Sequence, residues 1–347
     1  MAPLLAHLDS GLTRSASDWH WKVGEPGALR TYGHLTQDGP VVTQADLDAF
    51  IIEYRLSPSA ESLHQDAAFS YKGESFRWHR YSSEGKTTVS IRHIAQKASA
   101  LDSLGIPLAF KNLLTADSGL ILVTGPTGSG KTTTLTAAIN YINETADKLI
   151  VTLEDPVEFR HTNKKSIIRH REFGRDFDSF PDAIKYTMRQ DPDIILVGEM
   201  RDFSTIAAAL SAAETGHLVL ATLHNRTAPD AVGRIIDAAK DYDAHLITSQ
   251  LARHLLGVLA QQLPETIEGK RTGVFELMLQ TTATQSLIRE HRFDGLHDEI
   301  NRGSQHGMIS FDESLKNLCL KRRITADEAL ACASRPDLLK PLLKNFR

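Results

Sequence analysis

The run Gly125-Pro126-Thr127-Gly128-Ser129-Gly130-Lys131-Thr132 fits G-x-x-x-x-G-K-[ST] at every fixed position. Its chemistry is to grip phosphate. The glycines let backbone N–H groups converge on phosphate oxygens, and a following helix adds unsatisfied donors and a positive dipole end. The apolar residues 120–124 predict a strand before it, and the segment from Lys131 predicts a helix after it, which is the context the motif requires. Lys131 is placed to pair with the β/γ-phosphates, and the Thr132 hydroxyl to ligate Mg²⁺. A chance glycine turn is the alternative, and the strand-to-helix setting disfavours it. The chain is expected to bind a nucleoside triphosphate.

Two further apolar runs end in acids. Residues 149–153 lead into Glu154-Asp155-Pro156, and residues 194–197 lead into Gly198-Glu199. In an open parallel sheet the carboxyl ends of the strands converge on the ligand crevice. Glu154 and Glu199 are therefore both candidates to orient an attacking water, and Glu199, with Thr132, to serve the metal. Gly198 stands where an Asp commonly closes a Walker B strand, so Glu199 would act directly or through water. Asp155 and Asp202 read equally well as helix caps. His217 and His224 stand at opposite ends of one short strand, too far apart to chelate a single metal. At the carboxyl end, His224 is placed to sense the γ-phosphate by a hydrogen bond.

The elements that must position these residues alternate. Strands at 120–124, 149–153, 194–197 and 218–223, with helical segments between them, predict a parallel sheet sandwiched by helices. After Pro264 the strands thin out, and 312–320 and 326–333 read as short helices. Upstream, from Ser15 to about Ile94, short β-like runs surround one helix with Thr43 as its N-cap and Leu47, Phe50, Ile51 and Tyr54 as its buried stripe. In two alternating runs around Gly85, Phe76 and Trp78 share one face, as do Val89 and Ile91. Arg77 and Arg92 then point the other way. Trp19 and Trp78 suit a core or an interface equally. A connector at 95–116, broken by Ser103, Gly105 and Pro107, separates the two textures.

Length and composition set the frame. A chain of 347 residues predicts two domains, and 41% hydrophobic with 24% charged residues excludes a wholly disordered chain. Net charge is −4, from 39 Lys+Arg and 43 Asp+Glu, which gives no general attraction to nucleic acid. Lys321-Arg322-Arg323 is the compact basic cluster near the C-terminus, and it reads as a solvated helix end. The two cysteines, Cys319 and Cys332, are too few for a disulfide framework or a four-thiolate zinc site, so a reducing, cytoplasmic setting is expected. Apolar runs are too short to span a bilayer, and the N-terminus lacks the features of a secretory signal.

Taken in order, these motifs resemble the secretion ATPase superfamily. The phosphate loop through Thr133, Leu153-Glu154-Asp155-Pro156-Val157-Glu158-Phe159, the stretch from Arg189 to Asp202, and that from Ala212 to His224 follow its pattern. They look closest to the retraction ATPases of type IV pili. Residues 15–20, Gly27 to Arg30, and Phe76-Arg77 resemble the family's N-terminal domain, and Gly307-Met308 its C-terminal part. The resemblance implies an α/β fold, with a RecA-like P-loop ATPase domain at 111–347 preceded by a smaller PAS-like α+β domain at 1–95. A linker at 96–110 joins them, and a helical C-terminal subdomain starts from about residue 265. It implies ATP and Mg²⁺ as ligands, a homohexameric ring with ATP at subunit interfaces, and an inner-membrane platform protein as partner. The ring would associate peripherally with the cytoplasmic face of that membrane and would not bind nucleic acid directly. It assigns Glu199 as the Walker B glutamate, 154–158 as the Asp box, His217 and His224 as the His box, and Arg77 and Arg92 as arginines completing the site. One segment departs: where such motors carry Ala-Ile-Arg-Asn-Leu-Ile-Arg-Glu, this chain has Ala283-Thr284-Gln285-Ser286-Leu287-Ile288-Arg289-Glu290. The assembly ATPases are longer and usually carry a four-cysteine zinc element, which this chain lacks. An export or conjugation motor, a nucleotide-switched scaffold and a RecA-like DNA protein are the other readings.

Overall fold

Residues whose alternation predicts strands do pair as strands. The computed structural model describes residues 1–56, 65–94, 98–242 and 244–343. The chain divides into two compact units, Met1–Lys97 and Ala98–Arg347. The first residues of the expected connector, 95–97, lie outside the described residues.

The first unit runs α1 (Ala2–Thr13), β1 (Ala16–Lys22), β2 (Ala28–Thr31), β3 (His34–Thr36), α2 (Gln44–Glu53), β4 (Gln65–Tyr71), β5 (Glu74–Ser83) and β6 (Lys86–Ile94). Its sheet is antiparallel throughout, in the order β3-β2-β1-β6-β5-β4. Glu84 and Gly85, both at positive φ, make the two-residue hairpin turn whose twist matches the flanking strands. Phe76, Trp78, Val89 and Ile91 are buried, with Trp19, Trp21, Leu47, Phe50 and Ile51 beside them. Trp19 and Trp78 are thus core residues of this unit. The Thr43 side chain accepts the Asp46 amide and caps α2. Helix α1 is an addition to the sequence reading, which places residues 1–14 in this domain without an element. It buries Leu4, His7, Leu8 and Gly11, and its His7 accepts from Trp19 Nε1 through its carbonyl and from Trp21 Nε1 through Nδ1.

The second unit follows with α3 (Leu108–Leu113), β7 (Gly119–Thr124), α4 (Lys131–Thr145), β8 (Leu149–Glu154), β9 (Ile167–Glu172), α5 (Phe180–Thr187), β10 (Ile194–Val197), α6 (Phe203–Glu214) and β11 (Leu218–Leu223). It continues through α7 (Ala228–Ala238), α8 (Ala244–His254), β12 (Leu255–Gln262), β13 (Val274–Leu279), α9 (Thr282–Arg289), α10 (Asp294–Arg302), α11 (Phe311–Leu320), α12 (Ala326–Cys332) and α13 (Pro336–Leu342). The sheet order is β13-β12-β7-β11-β10-β8-β9, parallel except for the antiparallel β13. Every residue of β7, β10 and β11 is buried, as a sheet covered on both faces requires. Leu120 and Leu122 join the core on one face; Ile121 and Val123 join the core on the other. The sheet also continues beyond Pro264 through β13, and the helical C-terminal part runs from Thr282. Lys321-Arg322-Arg323 follows the end of α11 and is exposed, where cations favour the helix dipole. Among the described residues no helix is long and apolar enough to cross a membrane.

Candidate nucleotide site

The phosphate loop lies between the interior strand β7 and helix α4. Gly130 is the N-cap of α4, no side chain caps that terminus, and its first turn holds no acid. The open N–H groups and the dipole there are free to meet an anion. Lys131 is buried, and its Nζ donates to the carbonyls of Gly125 at 2.7 Å and Pro126 at 3.1 Å. Burial lowers its pKa, while the charges of Glu199 and Glu158 act in the opposite direction, so both carboxylates stand near the lysine. Ser129 Oγ is buried without a hydrogen-bond partner among the described residues, whereas Thr132 and Thr133 are exposed on the first turn. These features fit a triphosphate with its metal.

Register brings the acids to the same end of the sheet. Val197 pairs with Leu153 on β8 and with Ala221 on β11, so Gly198-Glu199, Glu154 and Thr222 leave the sheet at one level. A side chain at Gly198 would fit tightly: a Cβ there would sit 3.1 Å from the Leu153 carbonyl and 3.3 Å from Glu154 Cα. On its other side, Thr222 Oγ1 donates to the Gly198 carbonyl.

Glu199 is held by an arginine and a histidine. Its Oε2 is 2.9 Å from Arg201 and its Oε1 is 3.1 Å from His224 Nε2. Burial pushes its pKa up, but the Arg201 bond and the His224 contact outweigh that and leave it below the ordinary value. His224, expected to sense the γ-phosphate, therefore points at Glu199. Arg201 also reaches Asp155 at 3.6 Å. Glu154 is more enclosed: Thr152 Oγ1 donates to its Oε1 at 2.6 Å, and His170 Nδ1 lies 3.3 Å from the same oxygen. Because His170 Nε2 accepts the His161 amide at 3.1 Å, neutral His170 carries its proton on Nδ1, facing Thr152 and Glu154. The other candidates serve the fold. Asp202 caps α6, accepting the Thr205 amide, and His217 Nδ1 lies 3.1 Å from the Ala212 carbonyl at the far end of β11.

Arg77 and Arg92 belong to the first unit, where they are directly opposed on β5 and β6. Arg92 in turn opposes Asp18, which opposes Arg30, so one row across that sheet reads Arg30, Asp18, Arg92, Arg77. Arg92 Nε donates to Asp18 Oδ1 at 2.8 Å. Arg77 and Arg92 are like charges, and directly opposed like charges destabilise a sheet.

Sequence reasoning missed Gln261 on β12. It is buried, its Nε2 donates to the Ser129 carbonyl at 2.6 Å, and its own carbonyl oxygen packs on Gly125. The signal was a glutamine pair, Gln261-Gln262, inside an otherwise apolar strand. Arg201 was also missed as a partner, though it stands two residues after Glu199 and so faces the same side of an extended segment.

The model of the type II/IV secretion system protein family matches residues 64–269. Over 330 residues, 93% of this chain and 96% of the other, the chain is 37% identical to the type IV pilus retraction ATPase PilT of Pseudomonas aeruginosa. The chain belongs to the type II/IV secretion system protein family. Like other secretion ATPases of that family it is a P-loop ATPase. It is also 40% identical over 271 residues to a twitching motility protein of Neisseria gonorrhoeae, covering 78% of this chain and 72% of that one. Among solved structures, that of the pilus retraction motor PilT with bound ADP superposes with a TM-score of 0.86 at 34% identity, covering 97% of this chain and 98% of that one.

Proposed function

We propose that this secretion ATPase is a hexameric motor that hydrolyses ATP to pull subunits out of a type IV pilus. The carrying observation is the likeness to PilT along nearly the whole chain, N-terminal unit included. The intact P-loop and acid constellation of the second unit supports it. Backbone amides of residues 125–133 and the α4 terminus grip the phosphates, and Lys131 exchanges its loop carbonyls for phosphate oxygens. Glu199 orients the attacking water; it fits this better than Glu154, because it stands near Lys131, while Glu154 shares its Oε1 with Thr152 and His170. His224 and Arg201 keep Glu199 ionised and aimed. Thr132, with Glu199, would hold Mg²⁺, which supplies positive charge to the phosphates when bound. Arg77 and Arg92 complete the nucleotide site of an adjoining protomer as phosphate-facing donors. The ring works at the cytoplasmic face of the inner membrane on a platform protein.

The test is a deletion strain scored for surface fibres and twitching. Accumulated pili with lost motility, restored by the wild-type chain and not by Lys131→Ala, is the expected result. Unchanged fibre number with loss of an exported substrate would favour an export motor instead.

A further inference from the structure

Glu276 lies in the middle of β13, is 1% exposed, and has no part in the nucleotide chemistry. Its Oε1 accepts the N–H of Ala228 at 2.8 Å, and the carboxyl group also accepts from the amide of Phe311. Ala228 opens α7 and Phe311 opens α11. The N-caps Thr227 and Ser310 take the amides of Asp230 and Glu313, so Glu276 serves first-turn donors that those caps leave over. One carboxyl group thus joins two helix N-termini to the sheet. Two dipole ends favour its charge, but burial opposes it and pushes the pKa up to about 7, with Asp312 and Asp230 adding to the rise. Those are the acids facing it from α11 and α7; on α10, His297 stands near Asp230, and β12 opposes it with Ala260. An apolar side chain would fill the place without that desolvation cost.

The connection leads to the site. Ala228 is four residues after His224, and the Asn225 carbonyl accepts from Thr124 Oγ1 at 2.8 Å, immediately before Gly125. Residues 224–227 are therefore pinned to the phosphate-loop strand at one end and to Glu276 at the other. On its far side Glu276 meets α11, whose Phe311, Leu315 and Cys319 pack with Ala329 of α12 and Leu339 of α13.

We infer that Glu276 is a positioning residue that fixes the His224-bearing segment and ties it to helices α11 to α13, so that these helices respond to the state of the nucleotide site. The inference uses the ATPase reading for its activity readout only.

The test is Glu276→Gln in the full chain, which keeps the size and removes the charge, and turns an NH₂ toward one amide. Hydrogen exchange is followed at Ala228, Phe311 and the phosphate loop. ATP hydrolysis is followed from pH 6 to 9, with binding of a fluorescent ATP analogue. Exchange at Ala228 and Phe311 should rise at least tenfold with the loop unchanged. At pH 8, kcat should fall about tenfold with KM and analogue Kd within threefold, and the wild type's acid limb between pH 6 and 8 should flatten. If this variant fails to fold, Glu276→Asp, which keeps the charge but withdraws it from both amides, should show the same rise in exchange at Ala228 and Phe311. Unchanged exchange in whichever protein is measured, or a Glu276→Gln pH profile identical to wild type, overturns the inference. Lys131→Ala separates the two readings: it should stop hydrolysis while leaving exchange at Ala228 and Phe311 as in wild type. An active Lys131→Ala would defeat the nucleotide assignment, and the exchange result would still decide Glu276.

Discussion

Gly125 and Gly128 belong to the same motif, yet the structure predicts very different costs for replacing them with alanine. Gly125 has φ of 151°, and a Cβ there would sit 2.3 Å from the Gln261 carbonyl oxygen and 2.6 Å from Ser129 Oγ. That carbonyl is on β12, hydrogen-bonded to β7 on one side and β13 on the other, and cannot retreat. Backbone strain of about 1–3 kcal/mol and overpacking of about 1–3 kcal/mol add to roughly 2–6 kcal/mol for Gly125→Ala. Gly128 has φ of 80° and nothing within 4 Å of the added methyl, so Gly128→Ala costs only the left-handed penalty of about 1–2 kcal/mol. Urea unfolding separates them. The three tryptophans, Trp19, Trp21 and Trp78, all lie in the first unit, so their emission follows that unit, while far-UV ellipticity is dominated by the helices of the second. Gly125→Ala should shift the ellipticity midpoint strongly and the emission midpoint little, and should weaken ATP binding. Equal costs for the two variants, to within 0.5 kcal/mol or so, would refute the packing argument.

Three further outcomes follow. Glu276, with its pKa raised from 4.5 to about 7, holds a proton in the fold that the unfolded chain releases. Its contribution to stability should fall by about 3 kcal/mol as pH rises from 4.5 to 7; Glu276→Gln should lack that slope, and identical urea slopes for the two proteins would contradict this. His161 is neutral in the fold, its pKa lowered to about 4 by burial, with His170 and Lys164 adding to the shift. Its stabilisation is present above pH 6.5 and lost as pH falls to 4; His161→Phe, which keeps a ring over His170, should spare about 3 kcal/mol of that acid loss. Arg77→Ala should leave analogue binding within severalfold and lower kcat by about 10³, the scale of an arginine that stabilises a transferring phosphoryl; a kcat near wild type would remove Arg77 from the site.

Legibility followed the physics of each element. Strands β7, β8, β10 and β11 could be read because a parallel sheet covered on both faces demands unbroken apolar runs. Strand β9, Ile-Ile-Arg-His-Arg-Glu, escaped because it is an edge strand with only two apolar residues. Strand β12 escaped because Gly257, where the register with β7 shifts, and the buried Gln261 and Gln262 interrupt its pattern. The outward facing of Arg77 and Arg92 was legible from alternation, but their direct opposition depends on register, which no local pattern carries. In the site, residue types at strand ends gave Lys131, Glu199 and Glu154. Of their holders, Thr152 and Arg201 stand two residues away along the same segment, whereas His170 is brought in by the pairing of β8 with β9 and Gln261 by its place on β12 beside the loop. The departing segment at 283–290 has a local reason as well: Thr284 is buried and forms a capping box with Thr281 at the start of α9, a task the family's Ile would not perform.

The central claim is that this phosphate loop holds ATP while Glu199 directs water onto it. Phosphate release by the purified protein with ATP and Mg²⁺, measured beside Lys131→Ala and Glu199→Gln, tests it most directly. Steady turnover by the wild type, none by either variant, and retained analogue binding by Glu199→Gln are predicted. Turnover in Lys131→Ala or Glu199→Gln near the wild-type rate would contradict the account.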